Sequence, residues 1–358
     1  MKKIIFCGAI LCFAFIDFAK AQTEQIYQFA KIWGFLKYFH PAPASGKADM
    51  DSLLFKIYPR LIASDRGKFN DLCVEIIDDL DRIKSPGSKA TRDEKNSFNK
   101  NHDLKWLNDT TFLYPKLVSK LNAVLEHRHQ GPSWYADSDM KLFSPANEKL
   151  YTETWKEYPE PAKRLLVLVR FWNMIEYFFP YKYMTDQNWE LVLKEFIPAF
   201  IEAGDAYSYH LSLTKLISAI DDSHCLYVDD VVYHNQFPYI FPFELTNIND
   251  TAVVTAVFND SLAKVNGIKK NDVIVSINNK SIKDFTKNLL PITGGSNYPA
   301  KVNKMLWLGY LICDSVRDAK LGILNDGRVE YRKVNRYTSE QVTFKTRFQS
   351  APGDSKIL

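Results

Sequence analysis

Apolar residues recur at helical spacing in two distant stretches. Ile26, Phe29, Trp33, Leu36 and Phe39 form one stripe, and Leu165, Leu168, Trp172, Ile175 and Phe178 form another. The stripes are copies in constant register: Trp33 to Trp172 is 139 positions, and so is Pro41 to Pro180. The register continues without a gap through Tyr38 and Tyr177, Leu54 and Leu193, Pro59 and Pro198, and Ile62 and Ile201. Spacing shared over two helices and the loop between them marks a duplicated helical hairpin. Pro41 and Pro180 disfavour helix in the residue before them and should end the Trp helices. Pro59 and Pro198 should start or kink the second helix of each copy. Trp33 and Trp172 read as packing anchors rather than ligand-binding residues.

The copies, placed at residues 22–88 and 165–236, end differently. The first runs into Asp78-Asp79-Leu80-Asp81-Arg82 and the polar turn Ser85-Pro86-Gly87-Ser88. The second ends on a helix carrying Leu213, Leu216, Ile217 and Ile220. It breaks at Asp221-Asp222-Ser223-His224 and enters the β-rich run Cys225-Leu226-Tyr227-Val228, so chemistry is expected at this second ending. Residues 89–164 form a connecting segment of mixed structure, with turns at Gly131-Pro132 and Ser144-Pro145. From Phe237 the pattern changes to strands. Thr251–Phe258 is rich in β-branched residues, and Val273, Val275 and Ile277 alternate onto one face. Asn278-Asn279-Lys280 suits a tight turn, and a strand pair flanks Asn325-Asp326-Gly327, with Val342 and Phe344 further on. These patterns predict an α+β multidomain fold, a duplicated α-helical hairpin region followed by a small β-barrel-like domain at residues 237–347.

The amino terminus changes that picture only in its first residues. Lys2 and Lys3, the apolar run Ile4–Ile16 and the small residues of Ala19-Lys20-Ala21 read as a signal peptide at residues 1–21, cleaved before Gln22. The run is too short to span a bilayer in the mature chain, and the bulky Leu11 before Cys12 argues against a lipoprotein site. The product is therefore expected to be periplasmic or secreted. Cleavage removes three lysines and one aspartate, taking the formal charge from +4 to near +2. No basic stripe remains, which excludes nucleic acid as a partner. Cys73, Cys225 and Cys313 are odd in number and widely spaced, so they read as buried free thiols rather than a disulfide framework or zinc motif. His127 and His129 could share a strand face, but no third ligand stands near them. No metal or cofactor is expected.

Two motifs carry a family resemblance. Val257-Phe258-Asn259-Asp260-Ser261-Leu262-Ala263, Gly267-Ile268-Lys269-Lys270-Asn271-Asp272-Val273-Ile274 and Ile277-Asn278-Asn279-Lys280 resemble a bacterial PDZ domain, with Asn271 where the usual pattern has glycine. Arg164-Leu165-Leu166 through Arg170-Phe171-Trp172-Asn173 and Glu176-Tyr177-Phe178-Phe179-Pro180-Tyr181-Lys182 come before it, with Asp222-Ser223-His224 between. Together they resemble the front of the C-terminal-processing and tricorn-type (tail-specific) serine peptidases. In that family a helical region and a PDZ domain precede an α/β core that holds the nucleophilic serine. The resemblance therefore implies the amino-terminal portion of an exported serine endopeptidase, with residues 348–358 as the start of the core. The nucleophile and its lysine or glutamate partner find no matching position, so the chain as written is expected to be inactive. The resemblance assigns His224 as the general base, with Ser223 adjacent. A neutral imidazole can take the proton of an attacking hydroxyl, and Asp221 or Asp222 would orient it. Members that use a serine–lysine dyad would not need it. Cys225 should point away from His224 on a strand. Gly294-Gly295-Ser296 with Lys301 suggests a Ser–Lys pair, but it reads more simply as a glycine-rich loop before a helix carrying Val302, Leu306 and Leu308. The implied partner is an extended peptide or unfolded protein chain, a chain end included, added as a strand, although the loop at Pro238-Tyr239-Ile240-Phe241 lacks the usual glycine. The alternative function is a non-enzymatic extracytoplasmic peptide-binding adaptor.

Overall fold

The structure, a computed structural model, describes residues 2–83, 103–136, 145–152 and 157–342. The Ser85–Ser88 turn, much of the connecting segment, Phe344 and residues 348–358 lie outside the described residues. The chain divides into two compact units, Met1–Asp205 and Ala206–Leu358.

The first unit is helical: α1 (Lys2–Phe39), α2 (Pro41–Ala44), α3 (Met50–Ile62), α4 (Arg66–Asp81), α5 (Pro115–Glu126), α6 (Pro161–Phe178) and α7 (Trp189–Ile201). Both Trp helices end just before their prolines. The duplication extends to individual hydrogen bonds. Asp49 caps α3 by accepting from the N–H groups of Asp51 and Ser52, and Asn188 caps α7 through Glu190 and Leu191. Trp33 Nε1 donates to Met50 O at 2.8 Å, and Trp172 Nε1 donates to Trp189 O at 2.7 Å. Each buried indole thus spends its one polar atom on the start of the following helix. Pro59 and Pro198 do not start these helices but lie in their last turns. The caps at Asp49 and Asn188 fix the starts, and a proline so near the end disrupts few helical bonds.

The copies also pack against each other at equivalent positions. Asn173 Nδ2 donates to Ala30 O at 2.9 Å and to Val169 O at 2.8 Å. It occupies the space that the matching residue of α1, Gly34, leaves open: a Cβ there would lie 1.8 Å from Asn173 Oδ1. Beside this crossing the Tyr38 and Tyr177 rings meet edge to face, 5.4 Å apart. His127 closes α5, and the His129 ring bonds Pro132 O at 2.9 Å, so the two do not share a strand as the sequence suggested.

The second unit opens with α8 (Ala206–Ser218) and α9 (Asp230–Gln236). It continues with β1 (Tyr239–Ile240), β2 (Phe243–Ile248), β3 (Thr251–Val257), α10 (Asp260–Val265), β4 (Val273–Ile277), β5 (Lys280–Ser281) and α11 (Ile282–Lys287). After these come α12 (Tyr298–Trp307), β6 (Cys313–Asp314), β7 (Asp318–Asn325), β8 (Arg328–Asn335) and α13 (Ser339–Val342). An antiparallel sheet runs in the order β2-β3-β4-β7-β8, with β5 on β4, while β1 and β6 form a separate ladder. The tight turns fall on residues that tolerate positive φ: Asn249 and Asp250, Asn278 and Asn279, and Asp326 and Gly327. Asn271 takes φ +72° in place of a glycine. The core gathers Phe241, Phe243, Val254, Ile274, Ile277 and Leu321.

Four local expectations give way. Val273, Val275 and Ile277 do not share a face, because a bulge between Ile274 and Ser276 changes the phase and makes Ile274 and Ile277 the fully buried pair. Cys225–Val228 is not a strand, and Val342 lies in α13. Cys73 and Cys313 are buried free thiols, whereas Cys225 is free but only half-buried. Among the described residues no helix is long and apolar enough to cross a membrane.

Candidate functional site

The loop after α8 is held by its own side chains and by α12. Asp221 turns the chain at φ +56°. Asp222 Oδ1 then accepts the His224 N–H at 2.8 Å and lies 3.0 Å from His224 Nδ1. A carboxylate at Nδ1 favours the proton there and leaves Nε2 as an acceptor. The His224 side chain is 97% exposed, so this ring is anchored at one nitrogen and open at the other.

Ser223 has a different job. Its Oγ lies 3.0 Å from Ser296 Oγ and accepts the Ser296 N–H at 3.1 Å, while Ser296 Oγ accepts the Ser223 N–H at 3.2 Å. This reciprocal clasp ties the Asp-Ser-His loop to the Gly-Gly-Ser loop. Close approach requires the glycines: a Cβ on Gly294 would sit 3.3 Å from Cys225 O, and one on Gly295 would sit 2.8 Å from Lys301 Cγ. Two lysines of α12 complete the attachment. Lys301 Nζ pairs with Asp221 Oδ1 at 2.5 Å, and Lys304 Nζ donates to Ser223 O at 3.1 Å and to Cys225 O at 2.8 Å. Burial lowers the Lys304 ammonium pKa against the opposing pull of Cys225 and Asp222. Burial also pushes the Cys225 thiol up to about 11, which leaves it a poor nucleophile. Lys301 therefore serves Asp221 rather than Ser296, and the site's two serine hydroxyls bond each other rather than the imidazole.

The sequence reading missed the frame under this loop. His210 on α8 places Nδ1 2.6 Å from Asp229 Oδ2, the Tyr227 hydroxyl donates to the same oxygen at 2.7 Å, and Asp229 Oδ1 caps α9 through the Val232 N–H at 3.0 Å. Burial alone would raise the Asp229 carboxyl. Hydrogen bonds from His210, Tyr227 and Val232 outweigh it and hold the carboxyl below its ordinary value. The cluster pins both sides of the 221–225 loop. A signal for it exists at an offset of 140, one more than the helical register, which matches Phe69 with Tyr209, Asn70 with His210 and Cys73 with Leu213. Asn70 likewise bonds the chain beyond its helix, through Phe112 O and the Tyr114 N–H.

Helix α12 also packs beside β2, the last strand on its side of the sheet. Alternate residues of such a strand direct N–H and C=O away from the sheet. The residues of β2 are Phe-Glu-Leu-Thr-Asn-Ile, with one charge. The opposite edge, β8, carries Arg328, Glu330, Arg332 and Lys333, and charged edges resist strand addition. Among the described residues no group of three or more His, Cys, Asp or Glu gathers to hold a metal ion.

A family profile for the PDZ domain matches residues 239–289, from β1 through α11. The unit thus contains a PDZ domain, a module that takes extended peptides as an added strand at a sheet edge. No curated protein matches the chain.

Proposed function

We propose that β2 binds extended segments of peptides or unfolded proteins, and that the chain is the substrate-handling front portion of an exported serine endopeptidase of the C-terminal-processing and tricorn type. The observation that carries this proposal is the double engagement of α12. It lies beside the peptide edge, and its Lys301 and Lys304 hold the loop that presents His224. A peptide laid along β2 is thereby brought to the element that carries the base. The Asp222–His224 contact supports the base role, because it anchors one ring nitrogen and frees the other. In the hydrolysis proposed, a serine Oγ attacks the peptide carbonyl as His224 Nε2 takes its proton. The proton then passes to the leaving amine and an acyl-enzyme remains for water to cleave. Ser223 and Ser296 bond each other rather than the imidazole, and the nucleophile is assigned to a serine outside residues 22–358. Ser223 is a positioning residue. Export is supported by Lys2, Lys3 and the apolar run from Ile4 to Ile16.

Two measurements test this proposal. Purified residues 22–358 should bind fluorescein-labelled unfolded-protein peptides by anisotropy but neither hydrolyse them nor react with a fluorophosphonate. The gene product isolated from its native host should do all three, and His224→Ala should abolish labelling while leaving peptide affinity unchanged. Binding without labelling in the native product would leave a peptide-binding adaptor. Labelling of a serine within residues 22–358 would overturn the assignment of the nucleophile.

A further inference from the structure

We infer that each copy of the helical hairpin carries a self-complementary face whose partner is a second copy of the same hairpin, so that two chains can pair by exchanging copies. The copies are related by an offset of 139 positions, and contacts across the face between them recur with the roles exchanged. Lys31 of α1 pairs with Glu190 of α7 at 2.6 Å. The equivalents of these residues are Arg170 and Asp51, and they pair as well, Arg170 Nε donating to Asp51 Oδ1 at 3.1 Å. The basic group of either copy thus meets the acidic group of the other. The rings obey the same rule. Tyr38 meets Phe178 edge to face at 4.9 Å, and Phe39 meets Tyr177, the equivalent pair, at 5.6 Å. Tyr38 and Tyr177 are each other's equivalents and touch directly, so they stand at the axis that relates the copies. The two carbonyls that Asn173 bridges, Ala30 and Val169, are equivalents too. Among the helices, α1 packs on α7 and α3 on α6, again in exchanged roles.

Contacts that repeat in exchanged roles define an isologous interface, in which one patch meets another copy of itself across a twofold axis. Stacked repeats would instead join two different faces, and the exchanged roles would be missing. The ion pairs make the face selective. The side chains of Lys31 and Asp51 are only 5% and 7% exposed, so each needs its opposite charge in place. Nothing in these contacts distinguishes a copy in the same chain from one in a neighbouring chain. Exchange of an identical element reuses contacts already made and is a low-cost route to a dimer. The tether within one chain favours the closed pairing in dilute solution, so exchange is expected when chains fold together at high concentration.

The test uses residues 22–358 in two preparations with different affinity tags, refolded together from urea at high protein concentration and captured on one tag. Retention of the second tag in a dimer, sized by light scattering, is the expected result for the unaltered chain. Its absence would overturn the inference. Reversed charges then locate the contact. Lys31→Glu sets like charges against Glu190, and Glu190→Lys sets like charges against Lys31. In a mixed dimer of the two variants, the introduced glutamate meets the introduced lysine of the other chain, and the native Lys31 meets the native Glu190. Mixed dimers should therefore exceed the dimers of either variant refolded alone by about fivefold or more, and a variant that precipitates alone should be recovered by the other. Equal yields would overturn the inference, because association would then not use this face.

Discussion

Three donors converge on Asp229, and they give the residue a measurable acid signature. Its carboxyl is held below the ordinary value when folded, so the unfolded chain takes up a proton first as the pH falls. The stabilisation is complete above an unfolded value of about 4 and is lost as the pH drops through the folded value. Urea unfolding of residues 22–358 between pH 3 and pH 7 should therefore show stability falling at the acid end. Asp229→Asn should flatten that acid limb and cost about 2–4 kcal/mol at neutral pH, since it disrupts a buried hydrogen-bonded pair. An unchanged acid limb would remove Asp229 from the frame of the loop. The contrast with His224 explains what could be read at this scale. His224 stands out because its neighbours Asp222 and Ser223 are adjacent in the chain. His210 meets Asp229 across 19 residues, and no local pattern announces that pairing.

Elements were legible where their cause is local. The helical copies repeat their caps, indoles and prolines, so periodicity alone exposes them. The strands of the second unit are likewise marked by β-branched runs and by Asn, Asp and Gly at the turns. The errors arose where tertiary bonds override composition. Cys225–Val228 has strand-forming residues, but the Lys304 side chain takes the Cys225 carbonyl and Tyr227 is drawn to Asp229. In β4, one bulge moved the buried set from the valines to Ile274 and Ile277. For β2 the turn fixes which groups are free. Asn249 and Asp250 form a two-residue turn with positive φ at both positions, so Ile248 and Thr251 make the first bonded pair, and Thr246 and Val253 the next. Asn247 therefore directs its N–H to the open edge. Leu245 does the same, since its neighbour Val254 bonds Asn271 and Asp272 instead. Asn247→Pro should weaken peptide binding by about tenfold or more with the sheet retained by circular dichroism, because it removes one outward donor. Thr246→Pro should instead unfold the hairpin. Equal binding by a folded Asn247→Pro protein would place the peptide elsewhere.

At the scale of the whole molecule, the sequence conveyed the α+β composition, the helical duplication and the PDZ domain. The link between peptide edge and His224 loop was not readable, because it depends on Lys301 and Lys304 reaching carboxylate and carbonyl groups about eighty residues away. Everything proposed for the chain follows from a peptide lying along β2 beside α12. Amide hydrogen exchange on residues 22–358, with and without a saturating β-casein peptide, tests that placement most directly. Slowed exchange at Leu245 and Asn247, with β8 unchanged, is the predicted result. Protection at β8, or peptide binding that leaves the β2 amides untouched, would contradict it.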